Sequence, residues 1–280
     1  MILDAHTHVF PAAVALNRDA YVAADATFAE LYASSEAKLA SADDLLRSMD
    51  DAKIDASIAL GFAWADPATC RLHNDYLLEA AAGSNGRIIA FPTLPLAAAA
   101  DAVEVEARRC AAAGARGFGE LRPDNLGFDL TGPPGDHLAR MAGELDAALL
   151  FHVSEPVGHA YAGKQGGNLH NFAAFVTAHP EVKVIGAHWA GGLPFYATMP
   201  EVKAAFANLR VDTAATSLLY DDTIYGRATK LTGPESVLFG SDYPLLSQSR
   251  SRRRIEESGL DAETMGLILG ANAAALLNLP

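Results

Sequence analysis

Short apolar runs alternate along this chain with longer helix-like segments. Eight runs read as strands: Ile2–Val9, Ala56–Gly61, Ile88–Pro92, Ala115–Glu120, Leu149–Val153, Val182–His188, Leu209–Asp212 and Val237–Ser241. Most are apolar without interruption, as expected for strands covered on both faces of a parallel sheet. Ser41-Ala42-Asp43-Asp44 predicts the start of a helix running to about Ala52, with acidic residues in its first turn. Ala68–Ala82 and Ala97–Ala113 are alanine-rich and favour helix, and Gly114 stands where a C-terminal glycine is expected. Further helices are expected over Gly135–Ala147, Asn168–Ala178, Met199–Ala207 and Tyr220–Leu231, with a C-terminal pair around Ile255–Gly259 and Ala262–Leu277.

Eight strands each followed by helix predict an α/β fold, a single (β/α)₈ TIM barrel spanning residues 1–280, with right-handed crossovers. An open doubly wound sheet is the competing architecture. It is weakened because no Gly-x-Gly-x-x-Gly follows the first strand. Two connections are long: Phe10–Leu39 after the first strand and Ser154–Asn168 after the fifth. In a barrel such βα connections lie on the catalytic face and often act as lids.

Polar residues interrupt the apolar runs at particular places. In Met1-Ile2-Leu3-Asp4-Ala5-His6-Thr7-His8-Val9 the two histidines are two apart, so on a strand they project together, with Asp4 one step deeper on that side. Two neutral imidazoles on a rigid strand make half of a metal site. His152, His188, Asp242 and Glu120 each lie at or near the C-terminal end of a predicted strand. That is the face on which barrels build active sites. Any one of them alone reads as a hydrogen-bonded strand-end residue. Together they would bury several charges at one mouth, which a cation most simply compensates.

Composition narrows the class. Of 280 residues, 50% are hydrophobic, enough for a large core. Every apolar run is interrupted before membrane-spanning length, and no secretory leader pattern opens the chain. Cys70 and Cys110 lie in no metal-like pair, so a reducing, cytoplasmic setting without disulfides is expected. The net charge of −13 argues against nucleic acid as a partner and leaves small anionic substrates open. A homodimer is allowed but not required by these features.

Asp4-Ala5-His6-Thr7-His8, His152, His188-Trp189-Ala190-Gly191-Gly192 and Gly240-Ser241-Asp242-Tyr243-Pro244 together resemble the amidohydrolase superfamily. The branch they resemble is amidohydrolase-2, which includes aminocarboxymuconate-semialdehyde decarboxylase and related hydrolases. The resemblance spans nearly the whole chain, with the motifs in order. It implies a divalent metal, with Zn²⁺ the expected ion, held by His6, His8, His152 and Asp242. His188 is then a further ligand or, preferably, the base that orients metal-bound water, and Asp242 shares in proton transfer. Three imidazoles, one carboxylate and one water would complete a five-coordinate shell. One ion is favoured. A second is allowed if Glu120 ligates, the alternative being an ion pair of Glu120 with Arg122. Asp4 is expected as a hydrogen-bonding partner behind the ligands.

The expected activity is hydrolysis of a small carboxylate, lactone or amide by metal-activated water. The rivals are non-oxidative decarboxylation of an unsaturated or aromatic acid on the same framework, and a barrel that binds ligand without turnover. Candidate substrate contacts are Arg122, His159, Tyr161 and Lys164, with Trp189 either a pocket wall or, at least as readily, a core residue. His73, His137, His170 and His179 carry no comparable signal. The cluster Arg250-Ser251-Arg252-Arg253-Arg254 reads as a solvated turn and helix start, although loops after strands seven and eight often bind phosphate.

Overall fold

The computed structural model describes residues 1–279. Its eight strands are β1 (Leu3–His8), β2 (Ala56–Leu60), β3 (Ile88–Phe91), β4 (Gly117–Leu121), β5 (Ala148–Phe151), β6 (Val184–Gly186), β7 (Leu209–Asp212) and β8 (Val237–Leu238). All pairings are parallel, in the order β1-β2-β3 and β4-β5-β6-β7-β8. Two seams join these sheets. Arg116 and Gly119 donate backbone N–H groups to Ala90 and Pro92, linking β4 to β3. Ala5 and His8 donate to the carbonyls of Phe239 and Tyr243, and Asp242 donates to that of His6, linking β8 to β1. The ring is therefore a (β/α)₈ barrel.

The uninterrupted apolar strands are explained by two buried layers. Leu3, Ile58, Leu60, Ile89, Phe91, Leu150, Ile185 and Leu238 form one cluster, which fills the barrel. Their strand neighbours Ala59, Ala90, Leu149, Phe151, Val184 and Val237 belong to the second, which packs beneath the helices. The helix Ala42–Ala52 shows how a segment docks on that layer. Ser41 and Asp44 form the expected capping box, and Leu45 and Met49, four apart, are buried. Its C-terminal end is held by Arg252, whose guanidinium donates to the carbonyls of Ala52 and Lys53. The basic cluster thus lies in the helix Gln248–Glu256, where Arg252 closes another helix and Arg254 pairs with Asp222; neither lines the cavity described below.

Three differences from the expected elements bear on the site. The connection Phe10–Leu39 contains three short helices, Ala12–Leu16, Arg18–Ala24 and Ala26–Tyr32, with their own aromatic cluster of Phe10, Phe28, Phe62 and Trp64. The eighth strand ends at Leu238 rather than Ser241, because the following residues turn to meet β1. Finally, the register of β1 on β2 slips between Asp4 and Thr7, inserting an extra residue. Asp4 is therefore not one step deeper on the histidine side. Its carboxylate accepts from Ser241 N, His6 N and the Gln248 amide, behind the wall that carries the imidazoles.

Candidate metal centre

Side chains from the ends of five strands converge at the barrel mouth. His6 and His8 come from β1, Glu120 from β4, and His152, His188 and Asp242 follow β5, β6 and β8; all are at least nine-tenths buried. His6 Nε2 and His8 Nε2 lie 3.1 Å apart. Asp242 Oδ1 is 3.7 Å from the first and 3.5 Å from the second. Glu120 Oε2 is 3.7 Å from His8 Nε2, while its Oε1 is 2.8 Å from His152 Nδ1 and 3.4 Å from His188 Nε2. Glu120 thus faces the histidines and forms no ion pair with Arg122. Three triplets, His6–His8–Glu120, His6–His188–Asp242 and Glu120–His152–His188, each keep their donor atoms within 4.8 Å of one another.

Local structure places these groups. At Gly240 a Cβ would fall 2.9 Å from His6 Cβ and 3.2 Å from Asp212 Cβ, so the chain after β8 passes close to β1 only without a side chain. His188 begins a run of left-handed residues ending at Gly192, with φ of 56° at His188 and 59° at Trp189. Such backbone costs about 1–2 kcal/mol per non-glycine residue, so neighbours must hold it. Trp189 does so from the core. It is fully buried, packs on Tyr225 and donates Nε1–H to Thr216 Oγ1 at 2.9 Å. It anchors the turn that presents His188 and does not wall the cavity, because the left-handed turn directs its ring inward.

The charges and hydrogen bonds of the cluster follow from its packing. His6 Nδ1 is 2.8 Å from Asp212 Oδ2, a carboxylate acceptor, so His6 carries a proton there and Nε2 is the nitrogen it turns into the cluster. His152 Nδ1 faces Glu120 Oε1 at 2.8 Å, and its Nε2 faces the Gly163 carbonyl and Ser154 Oγ, each at 2.9 Å. Burial lowers the His6 pKa, but Asp212, Asp242 and Glu120 outweigh it and raise the value to about 10. Burial, with Arg122 nearby, lowers His152 to about 4. Burial and His6 take His8 down to about 4. Burial would raise Glu120, yet the surrounding imidazoles hold it well below the usual carboxylate range. His188 is raised: burial opposes, but Glu120 and Asp242 prevail. Four imidazoles and two carboxylates with donor atoms this close form the kind of set a divalent ion takes. His6, His8, Glu120, Asp242 and His152 are the residues that would hold such an ion.

The cluster floors a cavity of about 400 Å³. Its walls include Leu31 and Tyr32 from the first connection, Phe62, Leu218, Leu219 and Leu245. Arg122 lines it and is 3% exposed. Its Nε donates to Asn125 Oδ1 and its Nη2 to the carbonyls of Gly163 and Gln165; among the described residues Nη1 has no partner. His159 and Tyr161 also line the cavity, and Tyr161 donates its hydroxyl to Glu155. Lys164 does not face the cavity. Its ammonium folds back onto the carbonyls of Val157 and His159, because three donors meet two acceptors within their own loop.

Two contributors escaped the reading of the sequence. Asp212 closes the strand Leu209–Asp212, so the strand-end rule that singled out Glu120 and Asp242 applied to it equally. The Gly163 carbonyl has no side-chain signal at all.

Comparison with known proteins follows the geometry. A family model described as Amidohydrolase matches residues 3–279. No curated protein matches the chain. Among solved structures, 5-carboxyvanillate decarboxylase LigW from Sphingomonas paucimobilis is similar at a TM-score of 0.79 and 14% identity, covering 100% of this chain and 99% of that one. A dihydroxybenzoic acid decarboxylase from Polaromonas sp. JS666, with bound manganese and the inhibitor 2-nitroresorcinol, gives 0.78 and 18%, covering 99% and 96%. A probable 2-pyrone-4,6-dicarboxylic acid hydrolase from Acinetobacter baumannii gives 0.65 and 14%, covering 99% and 99%. At these identities the likeness to solved structures is one of fold. No helix among the described residues is long and apolar enough to cross a membrane.

Proposed function

This chain belongs to the amidohydrolase family, whose members are metal-dependent enzymes, and on that premise we propose that it is a non-oxidative decarboxylase of a small aromatic or unsaturated carboxylic acid. The carrying observation is the cavity, with polar groups gathered at its floor, Arg122 at one side, and walls of Leu31, Tyr32, Phe62 and three leucines. A flat ring suits those walls, and a carboxylate suits the free edge of Arg122. The decarboxylases among the fold neighbours support the same direction. Hydrolysis, favoured from the motifs alone, becomes the second reading, since the His6-x-His8 pair and the Gly191-Gly192 turn serve either chemistry.

The reaction is R–COO⁻ + H⁺ → R–H + CO₂. The carbon–carbon bond breaks, its electron pair stays on the ring or alkene carbon, and that carbon takes a proton. A dication, Zn²⁺ by the donor set with Mn²⁺ as the alternative, would polarise a substrate oxygen and stabilise the charge that develops. His188 is the proton donor in this scheme, because its imidazole lines the cavity with Nε2 3.4 Å from Glu120 Oε1. Arg122 orients the acid, with His159 and Tyr161 at the entrance. The apolar walls exclude water from the departing carboxyl.

The test is turnover in D₂O by protein loaded with Zn²⁺ or Mn²⁺, against hydroxybenzoic and unsaturated dicarboxylic acids. CO₂ release with one deuterium on the former carboxyl-bearing carbon is expected. A product formed without CO₂, carrying oxygen from H₂¹⁸O, replaces this reading with hydrolysis.

A further inference from the structure

The buried carboxylate of Asp212 touches none of the cavity and belongs to no candidate ligand set. It nevertheless contacts two of the three histidine-bearing elements of the centre. Oδ2 accepts from His6 Nδ1 at 2.8 Å. Oδ1 accepts the backbone N–H of His188 at 2.9 Å and that of Ala214 at 3.0 Å. The residue is 0% exposed, at the end of β7, on the side where Gly240 lets the chain after β8 pass.

We propose that Asp212 is a positioning residue for the metal centre: it dictates which nitrogen of His6 is offered to the ion, and it pins the left-handed turn that presents His188. A carboxylate can only accept here, so the proton His6 keeps when it binds an ion must sit on Nδ1, leaving the lone pair to Nε2, the atom 3.1 Å from His8 Nε2. The same side chain supplies an acceptor for the N–H of His188, whose φ of 56° would otherwise have no compensation at its first residue. One side chain on β7 thereby couples the β1 and β6 parts of the centre. The proposal rests on the metal-binding reading of the cluster and is independent of the choice between decarboxylation and hydrolysis.

Asp212→Asn separates the two arms. The amide oxygen can keep the bonds to His188 N and Ala214 N, while the amide nitrogen donates to His6 Nδ1. The His6 proton is then driven onto Nε2, into the cluster. Mn²⁺ and Zn²⁺ affinity, measured by competition with a chelator, should fall by tenfold or more, in the range of about 10–100-fold seen when such partners are lost. In Zn²⁺-loaded wild-type protein, ¹⁵N spectra of the histidines should show His6 with its proton on Nδ1 and none on Nε2. A folded variant that binds metal within twofold of wild type overturns the proposal. So does a wild-type spectrum with the His6 proton on Nε2, a result that decides the matter even if the variant does not fold. If wild-type protein binds neither ion, the metal-binding reading itself fails, and the control makes that failure recognisable.

Discussion

His6 and His152 face one cluster from opposite walls of the barrel, yet they are held in different ways. His6 is oriented by Asp212, a fully buried side chain at a strand end. His152 meets, besides Glu120, the carbonyl of Gly163 and the hydroxyl of Ser154, both in the connection that follows β5. Gly163 is itself suspended: its N–H donates to Glu30 of the helix Ala26–Tyr32, and its carbonyl also accepts from Arg122. The first half of the centre is thus part of the barrel wall, while the second is complete only when two surface connections close over it. Loops with few strand bonds open at lower free energy than barrel strands. Metal affinity should therefore be dominated by the wall half, and substrate capture by the loop half.

The largest effect is expected from breaking the wall half. His6→Ala with His8→Ala should abolish stoichiometric metal and lower turnover by more than about 10²-fold, the scale of losing a principal electrostatic stabiliser. Elemental analysis of purified protein checks the first outcome, and retention of near-wild-type activity would show that the chemistry lies elsewhere.

Arg122→Ala strikes the loop half. It removes bonds to Asn125, Gly163 and Gln165 and should destabilise the closed loop by about 2–4 kcal/mol, since buried acceptors lose a charged donor. Proteolysis within 154–168 should accelerate, and KM for an acidic substrate should rise more than kcat falls. An unchanged cleavage rate would mean the loop is held by other contacts.

Proton release distinguishes the halves next. In the absence of metal His6 stays protonated up to about pH 10, whereas His152 loses its proton near pH 4. Metal must therefore displace a proton from His6 and none from His152 between those limits. Affinity should rise with pH by about tenfold per unit, or 1.4 kcal/mol, and level off near pH 10. Calorimetry in buffers of different ionisation enthalpy measures the count; no proton released at pH 8 would contradict the assignment to His6.

Gly163→Ala is smaller. The residue has φ of +88°, and a Cβ would lie 2.8 Å from Leu31 Cδ2. A loss of about 1–2 kcal/mol in loop closure is expected, visible as faster amide exchange across 154–168 with metal affinity reduced less than in Asp212→Asn. The smallest effect is that of Arg252→Ala. It loosens the end of the helix Ala42–Ala52 by about 1 kcal/mol and should leave kcat/KM unchanged, because that guanidinium is remote from the cavity.

Much of this molecule could be read from its residues in order. Leu209–Asp212 falls where expected, and Ser41 caps its helix, because burial on both faces and local hydrogen bonding leave marks a few residues long. The strand-end positions of His6, His8, Glu120, His152, His188 and Asp242 were visible for the same reason. Arg122 was visible as a charge, but its hold on loop carbonyls was not, since a backbone acceptor looks alike at every position. Trp189 stayed open between cavity wall and core anchor because an aromatic beside a site histidine suits both; its burial and its bond to Thr216 place it in the core. Asp4 was placed on the wrong side because a bulge is an insertion relative to a partner strand, and the partner is absent from a one-dimensional pattern.

By itself, then, the order of residues determined the barrel and the set of groups at its mouth, for these follow from hydrophobic period and from the chain direction of parallel strands. Only the tertiary structure decided which nitrogens of His6 and His152 face their neighbours, that Glu120 turns to the imidazoles rather than to Arg122, and that Asp212 and the Gly163 carbonyl lie against His6 and His152. Those outcomes depend on distances of about 3 Å between residues up to 206 positions apart, and no local pattern encodes a contact whose two members belong to different strands.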